Sequence, residues 1–240
     1  PAAAVIAVGG ARRGVDLGMV EVRRASGQLR ERHSFLVMAG LGLDAEMIAN
    51  TNPDLKRRFG WIAYLDGGLR SLRTLRHVQL GYRVGRRKER RITVHSLLIG
   101  NCGLLPANIQ LMPGALIDDG VLDVVAMRPK GVGGWLRLIG AMLVRGGLSG
   151  TRVTPAGQRI TTDDGEVRTL RHWRARGMLV RSDVPVAFEV DGEALGTVVE
   201  VRAWLQPRAL TVRTGAGDLA ALTPLSELPR SARAASLAPQ

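Results

Sequence analysis

Along most of the chain apolar residues recur at every second position, the period of a strand with one face on a core. Residues 16–24 (DLGMVEVRR) predict a first strand, and a polar turn at Ser26-Gly27-Gln28 leads to a second at 34–43 (SFLVMAGLGL). That second strand runs into Gly40 and Gly42, where the backbone must turn sharply or approach a neighbour closely. Residues 78–84 and 91–99 predict a hairpin around the charged turn 85–90, and 121–127 a further strand. Beyond residue 157 the alternation dominates, with strands expected at 157–161, 177–181, 186–190, 197–204 and 210–212. Asp183-Val184-Pro185 and Gln206-Pro207 read as turns between them.

Two stretches change period. Asn52 and Pro53 have the residue types of an N-cap and first helical position. Behind them Leu55, Phe59, Ile62, Leu65, Leu69 and Leu72 step by three and four into one stripe, with Lys56, Arg57, Arg58, Arg70 and Arg73 on the other faces. Residues 133–143 predict a shorter amphipathic helix carrying Trp135, Leu138, Ile139 and Met142. Many strands with only two helices predict a mainly β fold, a two-layer β-sandwich with two or so peripheral helices. A doubly wound nucleotide fold needs helices between most strands and is excluded. The domain is expected over 12–214, preceded by a short segment 1–11. The Ala-, Ser- and Pro-rich 215–240 is expected to be a flexible tail.

Composition narrows the partners. At 45% hydrophobic the chain can bury a real core, which excludes disorder throughout. Thirty-four Lys and Arg against 21 acids give a net charge of +13, a field that attracts anions: nucleic acid, a nucleotide or an anionic bilayer surface. Nucleic acid would call for aromatics interleaved with the basic residues, whereas Trp135, Trp173 and Trp204 lie far apart. No apolar run reaches the roughly 18 residues needed to span a bilayer. The longest, 132–144, is broken by Arg137, so membrane contact would be peripheral. The N-terminal residues lack the length and leading charge of a secretory signal. The single Cys102, expected as a buried structural thiol, fits a reducing cytoplasmic compartment.

Neither G-x-x-x-x-G-K-[ST] nor a strand-to-helix G-x-G-x-x-G occurs, so no recognisable ATP cradle is present in this sequence. His33, His77, His95 and His172 lack zinc spacing. The acids offer more. Three clusters adjoin glycine: Asp118-Asp119-Gly120, Asp163-Asp164-Gly165-Glu166 and Asp191-Gly192-Glu193. Each has the composition of a hairpin turn. The Arg-flanked cluster at 163–166 reads as a solvated turn. In the first, carboxylates and free carbonyls of a tight turn supply the hard oxygens that Mg²⁺ prefers. The third follows the apolar strand 186–190, where a carboxylate is held stiffly enough to act as a general base.

Taken together, five strings resemble the second domain of the bacterial diacylglycerol/lipid kinase family: VDLG at 15–18, FLVMAGLGLDAEM at 35–47, IGNCGLLPANIQLMPGALIDDGVLDVV at 99–125, and FEVDGEAL with VEVRAWLQPRALTV within 188–212. The resemblance implies a β-sandwich half whose companion domain holds the ATP phosphates on a GGDGT motif absent from this sequence. It makes residues 1–8 look like those just after that companion domain, and the chain alone is expected to be inactive. It implies Glu193 as acceptor of the lipid hydroxyl proton, with Asp191 beside it, and Mg²⁺ held by the Asp119 carboxylate and the carbonyls of Leu116 and Val121. Asp118 and Asp123 are neighbours of that site. ATP is the implied co-substrate and diacylglycerol or a similar lipid the substrate. The implied setting is the inner face of an anionic membrane, without nucleic acid, and a second copy could pair at an open strand edge.

Overall fold

Val20 and Val22 alternate with Met19, Glu21 and Arg23, and only the valines are buried. That alternation recurs on neighbouring strands and fixes which side of the sheet becomes core. The computed structural model describes residues 2–27, 30–42, 77–105, 109–110, 112, 115–129, 134, 158–162 and 165–215. A short helix α1 (Ala2–Gly9) leads into β1 (Ala11–Arg23), β2 (Arg30–Phe35) and β3 (Met38–Gly42). Next come β4 (Val78–Val84), β5 (Arg90–Val94), β6 (Ser96–Gly100), β7 (Leu104–Leu105), β8 (Ile109–Gln110) and β9 (Leu122–Met127). Four further strands follow: β10 (Gln158–Thr162), β11 (Gly165–Ala175), β12 (Gly177–Val190) and β13 (Glu193–Thr214). The architecture is mainly antiparallel β, as the alternation predicts.

Among the described residues eleven strands form one sheet: nine run in the order β10-β11-β9-β6-β3-β12-β13-β1-β2, β4 and β5 branch from β12, and β7 and β8 pair separately. The N-terminal half of β12 pairs with β4 and its C-terminal half with β3. Because β4 pairs with β5, and β5 continues past His95 into β6 beside β3, the ladder folds back on itself. The enclosed core joins Val22, Val180 and Val201 to Leu97, Ile99, Val124 and Phe188, each almost wholly buried. Burying one such side chain contributes about 1.5–3 kcal/mol. Tyr82 and Trp173 close one end with ring centroids 5.1 Å apart. Trp173 is thereby core and no platform for a base.

Several expected elements differ. The strand expected at 34–43 is two, broken at Leu36-Val37, and that at 91–99 is broken at His95, whose N–H pairs with the carbonyl of Met127. Asp183-Val184-Pro185 makes no reversal. It is an irregularity within β12, between Arg181 and Val186 opposite β13, where Pro185 has no ladder hydrogen bond to forfeit. Gln206-Pro207 likewise lies inside β13. Strand β11 was not expected, because its arginines mask a short apolar pattern whose His172 and Trp173 are buried. Helix α1 was not expected either. The expected helix behind Asn52 lies outside the described residues, and of 133–143 only Gly134 is described, in helical conformation. Cys102 is half-buried and not fully buried as expected.

Candidate functional site

The hairpin between β12 and β13 reverses in two residues, Asp191 and Gly192, with Val190 opposite Glu193. Both central residues have positive φ, 47° and 83°, the conformation of a type I′ turn. Glycine adopts it freely. Asp191 is not glycine, and its conformation is held by what its side chain does. Its carboxylate accepts the backbone N–H groups of Leu36, Val37 and Met38 at 2.7, 2.9 and 2.9 Å. Its own N–H donates to the carbonyl of Met38 at 2.8 Å. The break between β2 and β3 is therefore a corner wrapped around one carboxylate. Glu189, buried in β12, accepts the Gly192 N–H at 2.7 Å and fixes the turn from below.

Glu193 differs from both neighbours. It is exposed, and no hydrogen bond or ion pair to its carboxylate occurs among the described residues. A carboxylate without a protein donor, on a turn whose backbone is held at several points, is free to accept a proton from a bound molecule. Asp191, whose two oxygens are spent on backbone donors, positions the turn.

The corner is held from the other side by Asn101, at the end of β6. Its Nδ2 donates to the carbonyls of Leu36 and Asp16, both at 3.0 Å, and its N–H donates to the carbonyl of Val37 at 2.9 Å. Asp16, 1% exposed, carries the chain of contacts onward. Its carboxylate accepts the N–H of Gly120 at 2.6 Å and of Arg208 at 2.7 Å, where β13 bulges and Arg208 has a φ of 50°. Its own N–H donates to the carbonyl of Ile117 at 2.8 Å. The turn bearing Glu193 and the loop bearing Asp119 are thus joined by an unbroken path of hydrogen bonds through the Leu36 corner, Asn101 and Asp16. Sequence reading did not single out Asn101 or assign Asp16 a role. Their only signal was membership of the strings IGN and VDLG.

In the acidic loop, Asp118 pairs with Arg13, whose Nε lies at 3.0 Å. Asp119 accepts the Val121 N–H at 3.0 Å and pairs with Arg174. Burial pushes its carboxyl above the ordinary range, Arg174 and the Val121 N–H pull it back, and the charges of Asp123 and Asp16 push it up again. Asp123 is fully buried, with one oxygen 2.6 Å from His172 Nε2 and the other without a hydrogen-bond partner among the described residues. Leu116 and Val121 flank this turn, half-buried. A cavity of about 310 Å³ opens beside it, between Asp16, Asp118, Asp119, Arg176 and Arg208. Among the described residues no cluster of three or more metal-ligating side chains is present. The set expected here needs only one, completed by carbonyls.

Residues 36–214 match the family model described as the YegS C-terminal NAD kinase beta sandwich-like domain. The chain belongs to that family. It is 33% identical over 203 residues, 84% of its length, to a protein of Pseudomonas savastanoi pv. phaseolicola named "Probable lipid kinase YegS-like". A Pseudomonas syringae pv. tomato protein of the same name is 38% identical over 139 residues, 58% of this chain and 41% of that protein. The chain spans about half the length of these relatives, 56% for the first. Among solved structures it resembles a Bacillus anthracis protein described as a "putative diacylglycerol kinase", with a TM-score of 0.60 and 18% identity over 90% of this chain and 62% of that one. A second diacylglycerol kinase structure from that organism gives a TM-score of 0.50 and 14% identity over 86% of this chain and 56% of that one. At these identities the structural likeness bears on the fold, the β-sandwich-like domain of diacylglycerol kinases.

Proposed function

We propose that this chain is the lipid-side half of an ATP-dependent lipid kinase, which phosphorylates the hydroxyl of diacylglycerol or a similar lipid to give phosphatidic acid. The observation that carries the reading is the unpartnered Glu193 carboxylate on a turn held by Asp191 and Glu189. Phosphoryl transfer to an alcohol needs positioning, charge neutralisation and a base near the hydroxyl. Glu193 would take the hydroxyl proton as the lipid oxygen bonds to the γ-phosphorus and the bond to the departing ADP oxygen breaks. The ATP phosphates would be held by the part of the protein that corresponds to the relatives' remaining length.

Mg²⁺ suits the acidic loop by the chemistry of its donors: a half-buried Asp119 carboxyl crowded by Asp123 and Asp16, and an orphaned oxygen on Asp123. Asp119 with the carbonyls of Leu116 and Val121 would hold it, Arg174 giving way. Bound there, the ion would supply charge neutralisation and stiffen the loop. The setting that fits a lipid substrate is the cytoplasmic face of an anionic membrane. Among the described residues no helix is long and apolar enough to cross one.

The test is transfer of labelled phosphate from ATP to diacylglycerol by the complete protein carrying this chain. Transfer that Glu193→Gln removes supports the reading, and an undiminished Glu193→Gln enzyme overturns it. Calorimetric titration with Mg²⁺ tests the loop, Asp119→Asn being expected to remove the binding heat and an identical isotherm refuting the metal assignment.

A further inference from the structure

The side of the sheet turned away from the core carries two cross-strand rows. One runs Arg83, Leu179, Arg202, Glu21, Arg32 across β4, β12, β13, β1 and β2. The next runs Gly81, Arg181, Glu200, Arg23, Arg30 over the same strands. Tyr82, Val180, Val201 and Val22, which alternate with these residues, lie in the core, so the rows share the outer face.

On this face the carboxylates are outnumbered and oversubscribed. Glu200 is shared by Arg181 at 2.8 Å, Arg23 at 3.6 Å and Arg30 at 3.9 Å. Glu21 is shared by Arg30 at 2.7 Å and Arg32 at 3.1 Å. Glu89, from the β4–β5 turn, adds one contact to Arg181 at 3.1 Å. Six arginines therefore face three carboxylates. Arg83 and Arg202, on either side of Leu179, are exposed and have no acidic partner among the described residues. A groove of about 390 Å³ runs between them, lined also by Arg30, Arg181 and Trp204. The carboxylates hold the arginine array in place while a surplus of positive charge remains directed outward. Trp204 and Met19, half-buried in the adjoining row, add the amphipathic and apolar edge that suits a headgroup region.

We infer that this outer face docks on an anionic phospholipid surface, with Arg83 and Arg202 as its phosphate-seeking residues. Guanidinium groups pair with phosphates through a planar fork, and an arginine array spread over five neighbouring strands matches a plane of headgroups better than a single buried anion. The inference assigns a face to the membrane setting proposed above, but its support is strand register and charge and not phosphoryl transfer. Vesicle binding and kinase activity can therefore fail separately.

The experiment is co-sedimentation of the full chain with phosphatidylcholine vesicles, with and without phosphatidylglycerol. Binding is expected only with the anionic lipid and is expected to weaken with added salt. Arg83→Ala/Arg202→Ala breaks no ion pair among the described residues. It is expected to weaken binding by roughly 30-fold, the effect of two arginines near a charged bilayer. The charge-matched control Arg128→Ala/Arg171→Ala, on exposed positions at the other end of the sheet, is expected to change it little. Equal loss in the two variants, or undiminished binding by the first, overturns the assignment. So does retention of single-stranded DNA through Arg83 and Arg202 while the vesicles are ignored.

Discussion

Asp191 and Asn101 hold one corner of the backbone through complementary groups. The carboxylate takes the N–H groups of Leu36, Val37 and Met38, while the amide of Asn101 takes the carbonyl of Leu36 and its backbone the carbonyl of Val37. A strand broken in mid-sheet leaves polar groups without ladder partners, and such groups are costly to leave unmet. Here they are met by two residues, Asn101 and Asp191, that lie far apart in sequence.

Asp191→Ala should therefore act through the backbone. Removing three hydrogen bonds to a charged acceptor is expected to cost about 1–3 kcal/mol in chemical denaturation. It should also reduce activity by releasing the turn that carries Glu193. Asp191→Asn, which keeps one acceptor oxygen, is expected to fall between Ala and wild type. Equal stability of all three proteins would contradict the anchoring role.

Asn101→Asp replaces a donor with a carboxylate facing the carbonyls of Asp16 and Leu36. Ionisation there is unfavourable, so the carboxyl of the folded variant should titrate above an unfolded one. A folded state that holds its proton more tightly loses stability as pH rises. The variant is expected to be closest to wild type in acid and to weaken toward neutrality, read from denaturation midpoints across pH. A deficit independent of pH would refute this geometry.

Burial pushes the Glu200 carboxyl up, but Arg181, Arg23 and Arg30 outweigh it and hold it below its ordinary value of 4.5. The unfolded chain then binds the proton more tightly. The contribution is complete above the ordinary glutamate range and is lost as pH falls through the folded value. Glu200→Gln is expected to flatten the acid limb of the stability profile, and an unchanged limb would remove the arginine cluster as its cause.

Gly18 lies opposite Phe35, and a Cβ there would come within 2.3–2.5 Å of the Phe35 ring. Phe35 is 1% exposed and has little room to move. Gly18→Ala is expected to destabilise by about 1–3 kcal/mol by overpacking. A neutral Gly18→Ala in thermal unfolding would show that the ring yields.

The alternation of valines around Val20, Val22 and Val201 made the β architecture legible, because burial on one face imposes a period of two on the sequence. The breaks were not legible. Leu36-Val37 is as apolar as a strand interior, and what bends it is an aspartate far along the chain. Asp191 was legible as part of a turn but not as an anchor, since sequence does not say which N–H groups its carboxylate meets. Glu193 was singled out through its motif, and its role is the proposal made above. The outer arginine face was hidden because its members come from five strands and meet only through register.

In the proposed reaction Glu193 accepts the proton of a lipid hydroxyl. The most direct measurement is the rate of phosphate transfer from ATP to diacylglycerol by the complete protein, wild type against Glu193→Gln, with thermal unfolding of both. A positioned general base contributes about 10²–10⁴-fold. The variant is expected to lose activity on that scale with an unchanged unfolding temperature, whereas full activity in Glu193→Gln would contradict the assignment.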